Sequence, residues 1–144
     1  MNRTVIITGA TGKFGKVLVQ KFLKKGYVVV AIGKSKIRLN QLKIYSSKKN
    51  QNLFLVCIDL MKNASITKFI KVIKKLGLNP YALINNARNL DYSKLDKNGK
   101  PSTKNFLNEF KLGVVVPYEL TQALVASFPG KFRKVLNLSS IYGS

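Results

Sequence analysis

The chain has 144 residues, 46% of them hydrophobic, which suits one globular domain with a core of ordinary size. Its 26 Lys and Arg residues against 5 Asp and Glu residues give a net charge of +21. The apolar runs are only strand-sized, and the N-terminal segment lacks the apolar core of a secretory signal. We therefore predict no membrane association and expect a cytoplasmic protein.

The positive charge raises nucleic acid as a partner. However, the basic residues are spread along every predicted helix rather than gathered in one block, and most are Lys. Diffuse lysine supports only salt-sensitive, non-specific attraction to a polyanion. We predict no specific nucleic-acid partner.

A single cysteine, Cys57, excludes an internal disulfide framework. It lies in the apolar run Leu53–Ile58, so we expect a small buried side chain rather than a reactive thiol. We predict no metal site.

The first structural unit is the most informative one. Val5-Ile6-Ile7 reads as a strand, and it is followed by the glycine-rich run Thr8–Gly15. A helix is predicted over about Gly12–Lys25, ended by Gly26. A strand, a glycine turn and a helix form the phosphate cradle of a dinucleotide-binding unit, because glycine lets the backbone approach the pyrophosphate and the helix N-terminus attracts the anion. The plain alternative is a glycine-rich turn that merely joins a strand to a helix.

Strand and helix patterns then alternate to the end of the chain. Further strands are predicted at residues 27–32, 53–58, 81–85 and 135–138, and further helices at residues 35–45, 65–76 and 103–128. Within the last helix, Pro117 predicts a kink or a local break. The polar segments 46–52 and 88–103 are predicted loops.

This order predicts an α/β protein with a doubly wound parallel sheet of five strands, in a single domain over residues 1–144. Apolar strands without strict alternation favour a sheet that is covered on both faces.

Polar residues follow the predicted strand ends, where a cofactor crevice would lie. After the second strand, Lys34 with Arg38 one turn later favours the extra phosphate of NADP over NAD, and the alternative in so basic a chain is a plain surface lysine. After the third strand, Asp59 can accept a hydrogen bond from an adenine amino group or can cap the segment that follows.

The last two predicted strands end in small and polar residues. Asn86 and Ala87 can line a cofactor pocket and tie neighbouring strands together. Ser140 follows the fifth strand, where its hydroxyl can hydrogen-bond a substrate carbonyl.

Together these motifs resemble the short-chain dehydrogenase/reductase family, with its Rossmann fold. The resemblance covers the whole chain, through Thr8–Gly15, Asp59-Leu60, Asn85–Ala87 and Ser140–Gly143 in order. It implies NAD(P)-dependent hydride transfer between a nicotinamide and a carbonyl or alcohol substrate. It assigns Ser140 to the substrate oxygen as the catalytic residue present. The cofactor contacts that it implies are Gly9, Gly12, Phe14, Gly15, Lys34, Asp59, Leu60, Asn86 and Ala87.

The chain also departs from the family. The glycine spacing Gly9, Gly12, Gly15 is similar to that of sugar-nucleotide-modifying and regulatory redox-sensing branches. Arg88 stands where the family usually has glycine, and it can grip an anion or point into water. Gly113 stands where the family often keeps a catalytic asparagine.

The largest departure is the Tyr and Lys pair that should follow Ser140 by about a dozen residues, because the given sequence stops at Ser144. Without that acid–base pair we expect cofactor binding with little turnover. The family's C-terminal helix and strands would also be missing, which predicts a truncated chain whose fifth strand is an exposed edge.

We therefore expect the nucleotide-binding portion of an NADP-preferring oxidoreductase, with NAD left open. The alternative is a non-catalytic dinucleotide-binding regulator. A homo-oligomer is left open, and the residues do not indicate a particular substrate.

Overall fold

A computed structural model describes residues 3–45, 52–88, 95, 97–100 and 102–138. In these ranges the chain forms a five-stranded parallel sheet with the strand order β3-β2-β1-β4-β5. The strands are β1 (Thr4–Ile7), β2 (Val28–Gly33), β3 (Leu53–Cys57), β4 (Pro80–Asn85) and β5 (Lys134–Asn137). The predicted α/β, doubly wound fold is confirmed.

Helices connect each strand to the next. They are α1 (Lys13–Lys24), α2 (Lys36–Asn40), α3 (Ser65–Lys75), α4 (Thr103–Phe110) and α5 (Val116–Ser127). A 3₁₀ helix at Gln41–Tyr45 continues α2, and a π-helical turn at Lys111–Val115 joins α4 to α5.

The predicted helix stops lie where backbone geometry requires glycine. Gly26 after α1 has φ = 78°, and Gly77 after α3 has φ = 65°. These left-handed conformations strain other residues and end a helix by redirecting its last carbonyl groups. The Gly26 N–H donates to the carbonyl of Leu23 at 3.0 Å, which closes the final turn of α1.

Alternate residues of each central strand enter two different cores. In β1, Ile6 packs with α3 and α5 on one face, whereas Val5 and Ile7 pack with α1 and α2 on the other. Successive side chains of a strand point to opposite faces, so a strand covered on both sides needs an unbroken apolar run. The run Val28–Ile32 has this form for the same reason.

The predicted long helix 103–128 is interrupted where Pro117 affects its hydrogen bonding. Pro117 has no N–H to donate, and the N–H of Val116 reaches back five residues to the carbonyl of Lys111. The result is a π-helical turn between α4 and α5. The prediction of a local break at Pro117 is confirmed.

The prediction that the fifth strand is an exposed edge is confirmed, because all four residues of β5 are exposed, with Val135 at 41% and Leu136 at 50%. The expectation that strands are covered on both faces is therefore wrong for this strand. The prediction that Cys57 is buried is also wrong, because β3 is the opposite edge strand and Cys57 at its end is exposed. An apolar run alone does not reveal that its strand lies at an edge.

The strand order places the ligand crevice. Chain connections leave β1 toward β2 on one side, and β4 lies on its other side. Ligands of open parallel sheets bind at such a switch point, beyond the carboxyl ends of the strands. None of the helices in the described ranges is long and apolar enough to cross a membrane.

Candidate functional site

The three glycines after β1 differ in why a side chain is absent at their positions. Gly9 has φ = 61°, and a Cβ there would lie 2.7 Å from the Cα of Ala87. A Cβ on Gly15 would lie 2.3 Å from the carbonyl oxygen of Gly9, so only glycine allows α1 to pack on the turn. Gly12 has neither constraint, since its φ is −72° and the nearest atom to an added Cβ is 3.4 Å away. Gly12 is exposed, so its missing side chain leaves space on the outer side of the turn.

The N-terminus of α1 is open toward this space. Gly12 is the N-cap residue, no side chain caps the helix, and the first turn has no acidic residue. The first N–H groups of a helix have no intrahelical partner and lie at the positive end of the dipole. Phe14 in this turn is 56% exposed, beside these donors. The arrangement fits a pyrophosphate, both in charge and in the room that glycine leaves.

Asn86 and Thr8 hold the glycine turn against the end of β4. The side-chain Nδ2 of Asn86 donates to the carbonyls of Thr8 and Gly9, at 3.0 Å each. The hydroxyl oxygen of Thr8 accepts from the backbone N–H groups of Asn86 and Ala87, also at 3.0 Å. The same hydroxyl donates to the carbonyl of Ile84 at 3.4 Å. The carboxyl ends of β1 and β4 are thereby joined, and the predicted tie between neighbouring strands is observed.

Lys34 lies directly after β2, at the same carboxyl end of the sheet as the glycine turn. Lys34 and Arg38 are both exposed. The side chain of Ser35 accepts a hydrogen bond from the N–H of Arg38 and caps α2, which places the two cations one turn apart. The pair is open to a ligand phosphate, and its part in cofactor selection stays a prediction.

Asp59 and Leu60 follow β3, also at the carboxyl end of the sheet. The Oδ1 of Asp59 accepts from the N–H of Met61 at 3.0 Å, which is the capping role that the sequence left open. Leu60 is buried in the core with α3, and its carbonyl accepts from the Ser65 hydroxyl at 3.2 Å. Both residues stabilise the turn after β3, and their contact with adenine stays a prediction.

A small polar cavity of about 20 Å³, enough for roughly one water molecule, lies between the ends of β4 and β5 and the π-helical turn. Asn85 is buried beside it, and its Nδ2 donates to the Oδ1 of Asn137 at 2.7 Å across the two strands. Leu138 also lines this cavity. Ser140, the predicted catalytic residue, lies outside the described residues, two positions after Leu138.

Arg88 pairs with an acid on α4. Its Nε donates to Oε1 of Glu109, which joins the segment after β4 to that helix. Gly113, one turn further along, lines the same polar cavity as Arg88. Arg88 therefore does not simply point into water, one of the two alternatives from the sequence.

Sequence reasoning missed three participants in this geometry. In the sequence, Thr8 only begins the glycine run, Asn137 only belongs to a predicted strand, and Glu109 belongs to no motif. Glu109 had one available signal, because it is one of only 5 acidic residues in the chain and lies on a predicted helix.

The parallel sheet and its flanking helices define a Rossmann-type α/β protein. A family model described as short chain dehydrogenase matches residues 3–144. The chain belongs to the short-chain dehydrogenase family, as the resemblance predicted.

Curated relatives match only part of their own length. The NADP-dependent 3-hydroxy acid dehydrogenase YdfG of Escherichia coli K12 is 31% identical over 83 residues, which are 58% of this chain and 32% of the relative. The NADPH-dependent pterin aldehyde reductase of Arabidopsis thaliana is 28% identical over 143 residues, or 98% of this chain and 57% of the relative. The matched part of the chain thus covers 32% to 57% of the length of these relatives.

Solved structures share the fold. Serine dehydrogenase from Escherichia coli superposes with a TM-score of 0.81 at 23% identity, covering 97% of this chain and 63% of that chain. A structure of ElxO with NADP bound gives 0.83 at 23% identity, covering 99% and 57%. At these identities the likeness shows the fold alone.

Proposed function

We propose that this chain is the cofactor-binding part of an NADP-preferring oxidoreductase that transfers hydride between a nicotinamide and a carbonyl or alcohol substrate. The observation that carries the proposal is the glycine turn at the open N-terminus of α1, fixed to β4 by Asn86. The names of the relatives YdfG and pterin aldehyde reductase, which specify NADP or NADPH, support the choice of cofactor.

In this proposal each site residue has a distinct role. The N–H groups at the start of α1 hold the pyrophosphate, with Gly12 leaving room for it and Phe14 beside it. Asn86 and Ala87 form the wall beside the ribose, and Asp59 and Leu60 form the adenine end. The cofactor supplies the hydride, and Ser140 orients the substrate oxygen.

Lys34 is assigned to the extra phosphate of NADP. A lysine that follows β2 is placed to meet the adenosine ribose, and a cation there favours a ribose phosphate over a free hydroxyl. Lys34 is exposed and precedes the capped helix α2. Its amine can therefore reach a phosphate while α2 stays folded.

The proposal is tested by titrating the chain with NADPH and NADH, with cofactor fluorescence as the signal. We expect Lys34→Ser to weaken NADPH binding about 10-fold, the loss of one charge-assisted hydrogen bond, with NADH unchanged. Lys36→Ser is the control, because Lys36 is also exposed but is the first residue of α2. Absence of saturable NADPH binding to the unmodified chain at low salt would refute the dinucleotide assignment.

A second candidate function is dinucleotide binding without catalysis. Gly113 favours it, since this position beside the polar cavity offers no side chain for chemistry. Assays of the full gene product with NADPH and a panel of aldehydes and ketones separate the two, because only an oxidoreductase consumes the cofactor.

A further inference from the structure

Arg88 borders two adjoining cavities beyond the end of β4. One is the small polar cavity of about 20 Å³, whose wall includes Asn85 and Gly113. The other is an open groove of about 320 Å³ along α4, lined by Phe106 and Phe110. Because Arg88 and Gly113 line both, the guanidinium lies at the passage from the strand ends to the groove.

The ion pair fixes how Arg88 presents its donors. The side chain of Glu109 is only 15% exposed, whereas that of Arg88 is 46% exposed, so the carboxylate is the buried anchor and the guanidinium reaches outward. Guanidinium holds its N–H donors in a rigid planar fork. With Nε bonded to Glu109, the outer edge formed by the two Nη groups is oriented as a pair of parallel donors.

Gly113 lies beside this anchor. A Cβ at Gly113 would lie 3.6 Å from Oε1 of Glu109, an ordinary contact distance, so the carboxylate lies against the helix at the π-helical turn. The segment after β4 and the irregular part of the helix are thereby joined at the charged pair.

We infer that Arg88, oriented by Glu109, is an anion-binding residue of this site. Its Nη edge takes two oxygens of a carboxylate or phosphate, the geometry that a planar fork matches best. The inference rests on the proposed function, which places the reacting end of the cofactor and the substrate at these strand ends. The anion is either a cofactor phosphate or a carboxylate on the substrate.

The test measures two probes on the same chain. NADPH binding is followed by fluorescence, and binding of 3-hydroxybutyrate is followed through ¹⁵N–¹H resonances of the arginine side chains, with butan-2-ol as the neutral analogue. The variants are Arg88→Ala and Arg88→Lys. Arg133→Ala is the charge-matched control, because Arg133 is exposed just before β5, at the amino end of the strands and away from the site.

We expect Arg88→Ala to weaken one anionic probe about 10-fold, with part of the loss recovered in Arg88→Lys and none seen in Arg133→Ala or with butan-2-ol. A loss confined to NADPH identifies a cofactor phosphate, and a loss confined to 3-hydroxybutyrate identifies a substrate carboxylate. Arg88-dependent binding of 3-hydroxybutyrate without any NADPH binding would support this inference and refute the proposed function. Equal binding of both probes to Arg88→Ala, equal losses in Arg133→Ala, or no binding of either probe to the unmodified chain would overturn it.

Discussion

At the scale of single residues, the glycine turn shows why a motif is more than a count of glycines. Gly9 and Gly15 are required by the protein itself, because a Cβ at either position would meet backbone atoms at 2.7 Å or less. Gly12 has no such conflict and lies on the open side of the turn. Gly9 and Gly15 therefore serve the fold, and we assign Gly12 to the ligand.

This difference predicts opposite results for the same substitution. Gly15→Ala places a Cβ 2.3 Å from the Gly9 carbonyl, so we expect it to lower the free energy of unfolding by about 1–3 kcal/mol. Gly12→Ala should change stability by less than about 0.5 kcal/mol while weakening NADPH binding. Urea unfolding and NADPH titration of both variants measure the two effects. Equal stability losses in the two variants would contradict the assignment.

Asn86 carries a second prediction. Its amide donates two hydrogen bonds to partly buried carbonyls of the turn, so Asn86→Ala leaves two acceptors without their donor. We expect a loss of stability of about 1–3 kcal/mol together with weaker NADPH binding. Asn40→Ala, at the exposed end of α2, is the control in the same unfolding experiment. A stable Asn86→Ala protein with unchanged cofactor affinity would rule out this role.

At this scale, the site residues that could be predicted from the sequence are those that a local pattern identifies. The glycines and Asn86 follow strand ends, and their spacing alone indicates a turn and a tie. The hydroxyl network of Thr8 and the pair Arg88–Glu109 join residues 76 to 79 and 21 positions apart. Such partners depend on how the elements pack, which no local pattern records.

At the scale of elements, the edges of the sheet explain the errors of the sequence-based prediction. Every strand has an apolar run, yet β3 and β5 each have a neighbour on one side only. Strand order follows from packing across the whole sheet, so the run Leu53–Ile58 could not reveal that Cys57 is exposed. The break near Pro117 was predictable, because the missing N–H is a local property. Its π-helical form was not, since that depends on how Val116 finds an alternative acceptor.

The exposure of Cys57 gives a direct prediction. The native chain should react with a thiol reagent such as dithionitrobenzoate without denaturant, to the extent of its single cysteine. An exposed thiol reacts through its small thiolate fraction, which is continuously replenished. A buried thiol reacts only after the protein unfolds. The rate in urea serves as the reference. Labelling that begins only at the unfolding transition would show that Cys57 is buried.

At the scale of the whole molecule, a net charge of +21 in 144 residues makes self-repulsion a global term in stability. Lysines lie on the outer surfaces of α1 and α3 rather than in one patch. The repulsion is therefore distributed over the surface and is screened by salt. The fold tolerates it because the two apolar cores lie on opposite faces of the sheet, away from these charges.

Raising NaCl from about 0.05 to 0.5 M shortens the screening length from roughly 14 to 4 Å. We expect the thermal unfolding midpoint to rise by several degrees, because the compact state suffers most from repulsion. Differential scanning calorimetry measures the shift, and the uncharged osmolyte sucrose provides a control for general solvent effects. A midpoint that stays constant or falls with NaCl would show that repulsion is not a significant term.

The central claim is that N–H groups at the start of α1 bind the pyrophosphate of NADP. The most direct measurement is a titration of ¹⁵N-labelled protein with NADP⁺, followed through backbone amide resonances. We predict saturable shifts that are largest at Gly12, Lys13, Phe14 and Gly15, with smaller shifts at Lys34 and Asn86. Saturable shifts that leave residues 9–15 unchanged, or no saturation at all, would contradict the claim.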